Sequence, residues 1–484
     1  KLNLDKYKTF YINNLYYNIM NYLSKNTEKI IEIIDDINDI NKGLNYEYFN
    51  NINIKPYYDH IYNLYKKIEY NLTSKKIENI QTTDFCGAFD LLEYLLNNNL
   101  INNFKNLGIN EDGNSTLDYI IKNKLKNKCK IWINLNGKQL LRSLYILKET
   151  KKIPDNLINK LSVIDEDLMS EFTPFDVIEY LGSSKLIKYT LTLEYLNTNV
   201  TLKIVTKQPI KNSMLERIIK NIFLMVSIKK QKTNIDDFTI VLIMTLFKKT
   251  FPKEYKILGP REINSGLCIF NTRKIVIFRK EEFEKLLIHE LCHLLDLDLS
   301  VVNIQNINQY VNINPDFELR INESITEILA LIIHSILVSI NLSKKKNYKL
   351  ATTLLNYEIN FNLIQIAKIL NHFDFKNSQS FFKKYDGENK FKQTTSVLSY
   401  FIIKTACLFN KEELNKFLNN NFIIFNYKNK QVAIDEYKTL VINSLNNTDF
   451  HNIINKLMNK LMNNIVTKNK MFLETLKMTC IEMN

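Results

Sequence analysis

The chain has 484 residues and a mass of 57.3 kDa, which is enough for about two to four domains with sizeable cores. Its 45% hydrophobic and 24% charged residues exclude an intrinsically disordered protein. The net charge is +14, but the lysines are spread along the chain and form no arginine-rich stripe, so we predict no specific nucleic-acid binding.

Cysteine spacing and hydropathy bear on the compartment. Six widely spaced cysteines without a CxxC pair predict a reducing compartment and no disulfide framework. The longest apolar run, residues 328–340, is too short to cross a bilayer, and residues 1–11 mix charged and aromatic side chains, unlike a signal peptide. We therefore expect no membrane span.

Residues 1–183 are predicted to form a helical N-terminal region. Apolar residues recur there at three- and four-residue steps, over 17–37 and over 137–152. A further helix is predicted with Thr173 as its N-cap and Pro174 at its first position. No cluster of residues with evident chemistry occurs in this part of the sequence.

The sequence pattern changes at residue 184, where strands are predicted. Alternating stretches are typical of a β-hairpin, and a continuous β-branched run is typical of an interior strand. The predicted elements are a hairpin of 188–196 and 200–207 around a turn at 197–199, a helix over 213–230, a strand over 238–249, short strands over 265–270 and 274–279, and a helix over 280–297. We expect one mixed sheet with a short strand at its edge, beside a cleft.

After residue 345 the sequence is again typical of helices, apart from a polar loop over 383–395. The predicted fold is therefore α+β. Its predicted divisions are the helical region 1–183, a central α/β domain 184–345, and a helical region 346–484 that completes the cleft.

The residues HELCH in the last central helix put two histidines one turn apart. Residues four apart differ by only about 40° around a helix, so His289 and His293 share a face and can reach one tetrahedral metal ion. Glu290 lies about 100° further round, where it suits the general base for an activated water. The pattern predicts a hydrolytic zinc site.

The predicted helix that carries these histidines is amphipathic. Five leucines supply apolar anchorage: Leu286, Leu287, Leu291, Leu294 and Leu295. We expect the charged residues Glu281, Glu282 and Lys285 to begin the helix in water.

Residues 321–330 offer the third ligand. Glu323 and Glu327 are four apart on a predicted second helix and share a face. A carboxylate from a second helix completes a two-histidine zinc site and leaves a fourth position for water. We predict one zinc ion per chain, held by His289, His293 and a carboxylate of this second helix.

HELCH followed by NESITE resembles the gluzincin metallopeptidases, whose pattern is HExxH, a spacer and NExxx(D/E). The resemblance covers about residues 185–340 and is strongest over 262–330. It implies a zincin-like catalytic domain (mixed sheet plus active-site helix) in the central region. It also implies that Glu323 is the third zinc ligand beside His289 and His293, and that Glu327 holds a ring nitrogen of a ligand histidine.

Residues 263–300 also resemble HExxH proteins of giant (nucleocytoplasmic large) DNA viruses. The abundance of Asn, Lys and Ile, typical of an AT-rich genome, fits such a source. This resemblance implies a location in the host cytoplasm or the virion. It adds virion proteins to the expected partners, beside a protein or peptide substrate.

The spacer between His293 and Glu323 has 29 residues, more than in the best-known gluzincins. Four spacer carboxylates stay open as alternative ligands: Asp296, Asp298, Asp316 and Glu318. Cys292 is expected in the core, and His334 lies about 16 Å along the helix from Glu323, too far to bind the same metal. The residues after His293 do not fit the metzincin pattern.

Zincins also place a tyrosine or histidine over the scissile carbonyl. Tyr400, His372 and Tyr310 are candidates for this role, and we favour Tyr400. The predicted function is a zinc endopeptidase that processes viral or host proteins, with Glu290 as general base. The alternative is a virion structural or host-interaction protein with a zincin fold and a non-catalytic metal site, and a third reading is a toxin-like protease of one host protein.

Overall fold

The computed structural model describes most of the chain from residue 187 onward and parts of the sequence before it. The described residues are 22–40, 52–73, 81–84, 176–177, 180, 187–230, 235–254, 256–299, 302–316, 319–343, 345–423, 426–462 and 470–484. The helix predicted over 137–152 lies outside them, as do Thr173 and Pro174. The boundaries drawn at 183 and 345 stay predictions.

Six strands form one mixed sheet in the order β1-β2-β3-β4-β6-β5. In chain order they are β1 Gln81–Asp84, β2 Ile187–Tyr195, β3 Thr198–Thr206, β4 Phe238–Ile243, β5 Gly266–Ile269 and β6 Lys274–Ile277. Strands β3, β4 and β6 run parallel to one another. Strand β2 is antiparallel to both of its neighbours, β1 and β3, and the edge strand β5 is antiparallel to β6. The predicted α+β class and mixed sheet are confirmed.

Helices make up most of the regular structure outside this sheet in the described chain. They are α1 Lys25–Ile40, α2 Lys55–Thr73, α3 Asn212–Lys230, α4 Pro260–Ile263, α5 Phe283–Leu294, α6 Asn322–Leu342, α7 Tyr348–His372, α8 Lys404–Phe409, α9 Lys411–Asn421, α10 Lys430–Leu445, α11 Thr448–Met462 and α12 Lys470–Glu474. A π-helix, Leu398–Ile403, runs directly into α8. The short hairpin of β7 (Phe422–Ile423) and β8 (Asn426–Tyr427) interrupts the helices of the last region.

The predicted hairpin is β2 and β3, but its turn has two residues and not three, and it begins one residue earlier than expected. Leu196 and Asn197 have φ angles of 50° and 57°, as a two-residue type I′ turn requires. The strand predicted over 238–249 is too long and ends at Ile243. The reason is Thr245, whose amide bonds back to Ile243 and whose hydroxyl donates to the carbonyl of Phe278 at 2.6 Å.

Both faces of the sheet are covered. Ile240 and Leu242 of β4 point into the main core, which contains α3 and α5. Val241 and Ile243 point the other way, into a second core with Val177. This alternation follows from the two-residue period of a strand, and it explains why β4 has an almost continuous apolar sequence.

The first turn of α5 was expected in water, and this expectation is wrong. Glu282 and Lys285 are buried, and Glu281 is partly buried. Residues 475–484, which we call the 475–484 segment, cover this end of the helix, and Lys249 pairs with Glu282 at 2.9 Å. Sequence periodicity alone could not reveal a cover that comes from almost 200 residues further along the chain.

The 475–484 segment is fixed by buried carboxylates. Oε1 of Glu282 accepts hydrogen bonds from the amides of Met478 and Thr479 at 2.5 and 2.6 Å. Glu358 of α7 accepts two further amides of the segment at 3.0 Å. Hydrogen bonds to a charged acceptor are roughly twice as strong as neutral ones, so these contacts tie the segment to α5 and α7.

One helix among the described residues, α6, is long and apolar enough to cross a membrane. Its most apolar stretch is 89% buried inside the structure. Such burial is typical of a core helix, so α6 is weak evidence for a membrane span.

His334 in the middle of α6 supplies a pH-dependent stability term. Burial and the nearby Lys285 lower the pKa of His334 to about 3, although Glu282 raises it slightly. Below a pH of about 6.5, the ordinary pKa of histidine, His334 binds a proton in the unfolded chain but stays neutral in the folded chain. The unfolding free energy therefore decreases as the pH falls. Between about pH 7.5 and pH 5.5 the loss amounts to about 1.4 kcal/mol.

The unfolding free energy of the wild type should therefore fall over that pH interval by about 1.4 kcal/mol more than that of the His334→Leu variant. Urea unfolding of both proteins at the two pH values measures the difference, and other titrating groups cancel in it. Equal losses in the two proteins would show that His334 titrates normally.

Candidate metal centre

Two packed helices bring three donor atoms together. Helix α5 carries His289 and His293 one turn apart, and α6 packs against it with Glu323 in its first turn. The two Nε2 atoms are 3.1 Å apart, and Oε2 of Glu323 lies 3.3 Å from Nε2 of His289 and 3.2 Å from Nε2 of His293. Ligands about 2.0–2.1 Å from a tetrahedral metal ion are about 3.3 Å from one another. The three atoms have the spacing of one face of such a centre.

The other ring nitrogen of each histidine faces a carboxylate. Nδ1 of His293 lies 2.6 Å from Oδ2 of Asp298, and Nδ1 of His289 lies 2.9 Å from Oε1 of Glu327. The contact at His293 is a hydrogen bond, whereas the contact at His289 is a close approach to the carboxylate without hydrogen-bond geometry. A carboxylate at Nδ1 favours a proton on that nitrogen and leaves the Nε2 lone pair free for a ligand. Two lone pairs and a carboxylate oxygen thus converge, and this group could hold a metal ion.

Asp298 was left open as an alternative ligand, and the structure gives it a different position. Asp296, with a φ of 52°, turns the chain back after α5 so that Asp298 reaches the far side of the His293 ring. The hydroxyl of Thr326 donates to the same Asp298 oxygen at 3.0 Å. Asp296 itself is exposed and pairs with Lys430. Asp298 therefore orients the ring of His293.

The two remaining alternatives are not at the cluster formed by the histidines and Glu323. Asp316 is exposed, and its amide bonds to Asn314 in the turn before α6. Glu318 lies outside the described residues. Among the described residues, the group that can hold a metal ion is His289, His293 and Glu323.

Glu327 forms ion pairs with two buried lysines. Lys285 of α5 donates to its Oε1, and Lys404 of α8 lies 3.3 Å from its Oε2. Burial raises the pKa of Glu327, but the two lysines and His289 together hold it well below its usual range. Burial lowers the pKa of Lys404 to about 8, against the attraction of Glu327. The predicted contact between Glu327 and a ring nitrogen is present, with a buried charge cluster around it.

Glu290 lies beside the donor set and not within it. It is 5% exposed, and none of the three converging atoms belongs to it. Burial raises the pKa of Glu290, while His289 and His293 lower it. A carboxylate whose pKa is raised from its usual value is a stronger base.

The antiparallel edge strand β5 borders the centre. It packs against α5, and Gly266 approaches so closely that an added Cβ would lie 2.9 Å from the Val276 carbonyl and 3.2 Å from Leu286. Burial raises the pKa of Cys268, and the charges of Glu290 and Asp298 raise it further, so the strand lies within their field. In the described part of the chain, β6 is the only strand that pairs with β5.

Of the three oxyanion candidates, Tyr400 is beside the histidines. Its ring lies 6.1 Å from that of His289, edge to face, and it belongs to the π-helix before α8. Single π-turns occur frequently at functional sites. His372 instead packs on Phe251 at 4.9 Å, and Tyr310 packs on the hydrophobic core.

Several polar residues at this centre have a position that the sequence did not predict. They are Asp298 and Thr326 at one histidine, and Lys285 and Lys404 at the other. Lys285 had a usable signal, because it precedes His289 by four residues and so lies on the histidine face of α5. Lys404 and Thr326 had none, since their approach depends on how α8 and α6 pack.

Comparison with known proteins gives one viral relative. Over 195 residues the chain is 27% identical to an uncharacterised protein of Acanthamoeba polyphaga mimivirus. The match covers 39% of this chain and 48% of that protein, so the chain spans about half the length of the relative it matches. No family model matches the chain, and no solved structure matches it significantly. The viral relative agrees with the giant-virus resemblance, while the gluzincin resemblance stays a prediction.

Proposed function

We propose that the protein is a zinc-dependent endopeptidase of gluzincin type, with a zincin-like catalytic domain, that cleaves viral or host proteins. The observation that carries this proposal is the convergence of two Nε2 atoms and one carboxylate oxygen within 3.3 Å, beside a buried glutamate. A core helix that only resembles the motif has no reason to gather three electron-pair donors. A purely structural zinc site has no use for Glu290.

The donor set suits zinc chemically. Two imidazoles and one carboxylate are the protein ligands of many catalytic zinc sites, which keep a further position open. In such a site zinc supplies Lewis acidity, polarising a carbonyl and acidifying a water molecule. His289, His293 and Glu323 are the residues that would hold it.

Glu290 acts as the general base in this proposal. Its carboxylate takes a proton from the attacking water and returns it to the leaving amine. Burial favours this role, because it raises the pKa of the carboxyl from its ordinary value. Tyr400, whose ring lies beside His289, donates to the carbonyl oxygen as negative charge develops there.

The substrate class follows from the edge strand. The outer edge of β5 offers backbone groups to which an extended peptide can pair as a further strand. An extended backbone that pairs along β5 passes the metal centre, because β5 packs against the histidine helix. This supports a polypeptide substrate over a small molecule.

Metal analysis and a cleavage assay test the proposal. We expect purified protein to contain one zinc per chain and to hydrolyse peptides, and we expect a chelator to abolish the hydrolysis and zinc to restore it. Protein that binds no zinc, or hydrolysis that resists complete metal removal, would contradict the proposal. Zinc without any hydrolysis of the native partner proteins would support the virion structural alternative.

A further inference from the structure

Three charged side chains are buried together behind the metal centre. Lys285, Glu327 and Lys404 are 2, 1 and 0% exposed, and they come from α5, α6 and α8. Both lysines contact the Glu327 carboxylate, and the carboxylate contacts Nδ1 of His289 at 2.9 Å. We call Lys285, Glu327 and Lys404 the charge cluster.

Stability alone does not explain this cluster. Removing an ion from water costs several kcal/mol, and apolar side chains of similar volume often serve a protein core equally well. An apolar cluster, however, could not accept the Nδ1 proton of His289. The cluster combines a costly arrangement with a contact to His289 that an apolar side chain could not provide.

The cluster also fixes the carboxylate in space. Each lysine holds a different oxygen of Glu327, so the group is restrained at both ends. Lys404 is restrained in turn by the Met478 carbonyl of the 475–484 segment, at 3.3 Å. Outer contacts of this kind orient a metal ligand and select the nitrogen that it presents.

We propose that Lys285 and Lys404 are positioning residues of the metal centre, which hold Glu327 so that His289 presents Nε2 to the metal. This inference rests on the proposed zinc centre. The lysines contact neither the donor atoms nor the substrate position, and they act through Glu327.

The test is the zinc affinity of the folded protein, measured by competition with a chelator. We expect Lys404→Met to weaken zinc binding by about tenfold to a hundredfold, the usual effect of losing an outer partner of a ligand. In a Glu327→Gln background the same substitution should weaken binding no further, because the residue through which it acts is already changed. The d–d spectrum of the cobalt-substituted protein should shift in Lys404→Met, since one ligand is then less well oriented.

Lys368 is a matched control. It is also a buried lysine, but it donates to the carbonyls of Phe472 and Thr475, at 2.7 and 2.6 Å, and not to Glu327. Lys368→Met should lower stability and leave the zinc affinity and the cobalt spectrum of the folded protein unchanged. Lys285→Met gives the same test as Lys404→Met from another helix, should the latter not fold.

The outcomes separate the two proposals. Wild-type protein that binds no zinc overturns the proposed function and this inference with it. Wild-type protein that binds zinc, with a lysine variant of equal affinity, overturns only the inference. Additive losses from Lys404→Met and Glu327→Gln would also overturn it, because the lysine would then act independently of the carboxylate.

Discussion

Replacing Glu290 by glutamine is expected to reduce peptide hydrolysis by a factor of about 10² to 10⁴, the usual contribution of a general base. Glutamine keeps the size of the side chain but cannot accept the water proton. Zinc content should stay at one per chain, because Glu290 is not among the three converging donors. The unfolding free energy should change little. Initial cleavage rates and elemental analysis on the same preparations measure both effects.

Glu284→Gln is the matched control on the same helix. Glu284 is buried and bonds to Arg217 at 3.0 Å, on the opposite side of α5 from the centre. The same chemical change there should lower stability and leave hydrolysis intact. Full activity in Glu290→Gln would remove the base from the mechanism. If every function of the protein with its native partner survived Glu290→Gln, the virion structural alternative would be the better account.

Replacing His293 by alanine is expected to remove zinc and hydrolysis together. Two protein ligands then remain, and Asp298 loses the ring nitrogen with which it pairs at 2.6 Å. A buried carboxylate without its partner destabilises the fold, and the lost metal-binding free energy adds to this. The thermal midpoint should therefore fall as well. Elemental analysis, the cleavage assay and thermal unfolding measure the three effects.

His372→Ala separates these effects from the general loss of an imidazole. His372 packs against Phe251 and not against the donor set, so its loss should leave the zinc content at one per chain. His293→Ala protein that still binds one zinc with full affinity would exclude His293 as a ligand. Asp298 would then be the first residue to test in its place.

The parts of the fold that depend on local sequence were predictable. The β2–β3 hairpin follows from alternation over nine residues and a tight turn, and the apolar run of β4 follows from burial on both faces. The end of β4 did not follow, because Met244 and Leu246 are as apolar as the residues before them. The bond from Thr245 to Phe278 ends the strand, and that contact crosses between strands.

The candidate site divides in the same way. His289 and His293, and likewise Glu323 and Glu327, are pairs at four-residue spacing, and a helix alone puts each pair on one face. The roles of Asp298 and Lys404 depend on a turn with positive φ and on the packing of α8, neither of which has a sequence period. The burial of Glu282 could not be predicted either, because the amides that contact it belong to Met478 and Thr479, almost 200 residues away in the sequence.

The contacts between the 475–484 segment and α5 can form only late in translation. The amide of Met478 that bonds to Glu282 is made 196 residues after that glutamate, which takes about 10–40 s at ordinary rates of synthesis. Until Met478 has been made, the start of the histidine helix lacks this cover and Lys404 lacks the Met478 carbonyl. A nascent chain therefore cannot form these contacts at the start of α5 and at Lys404 before residue 478 has been translated.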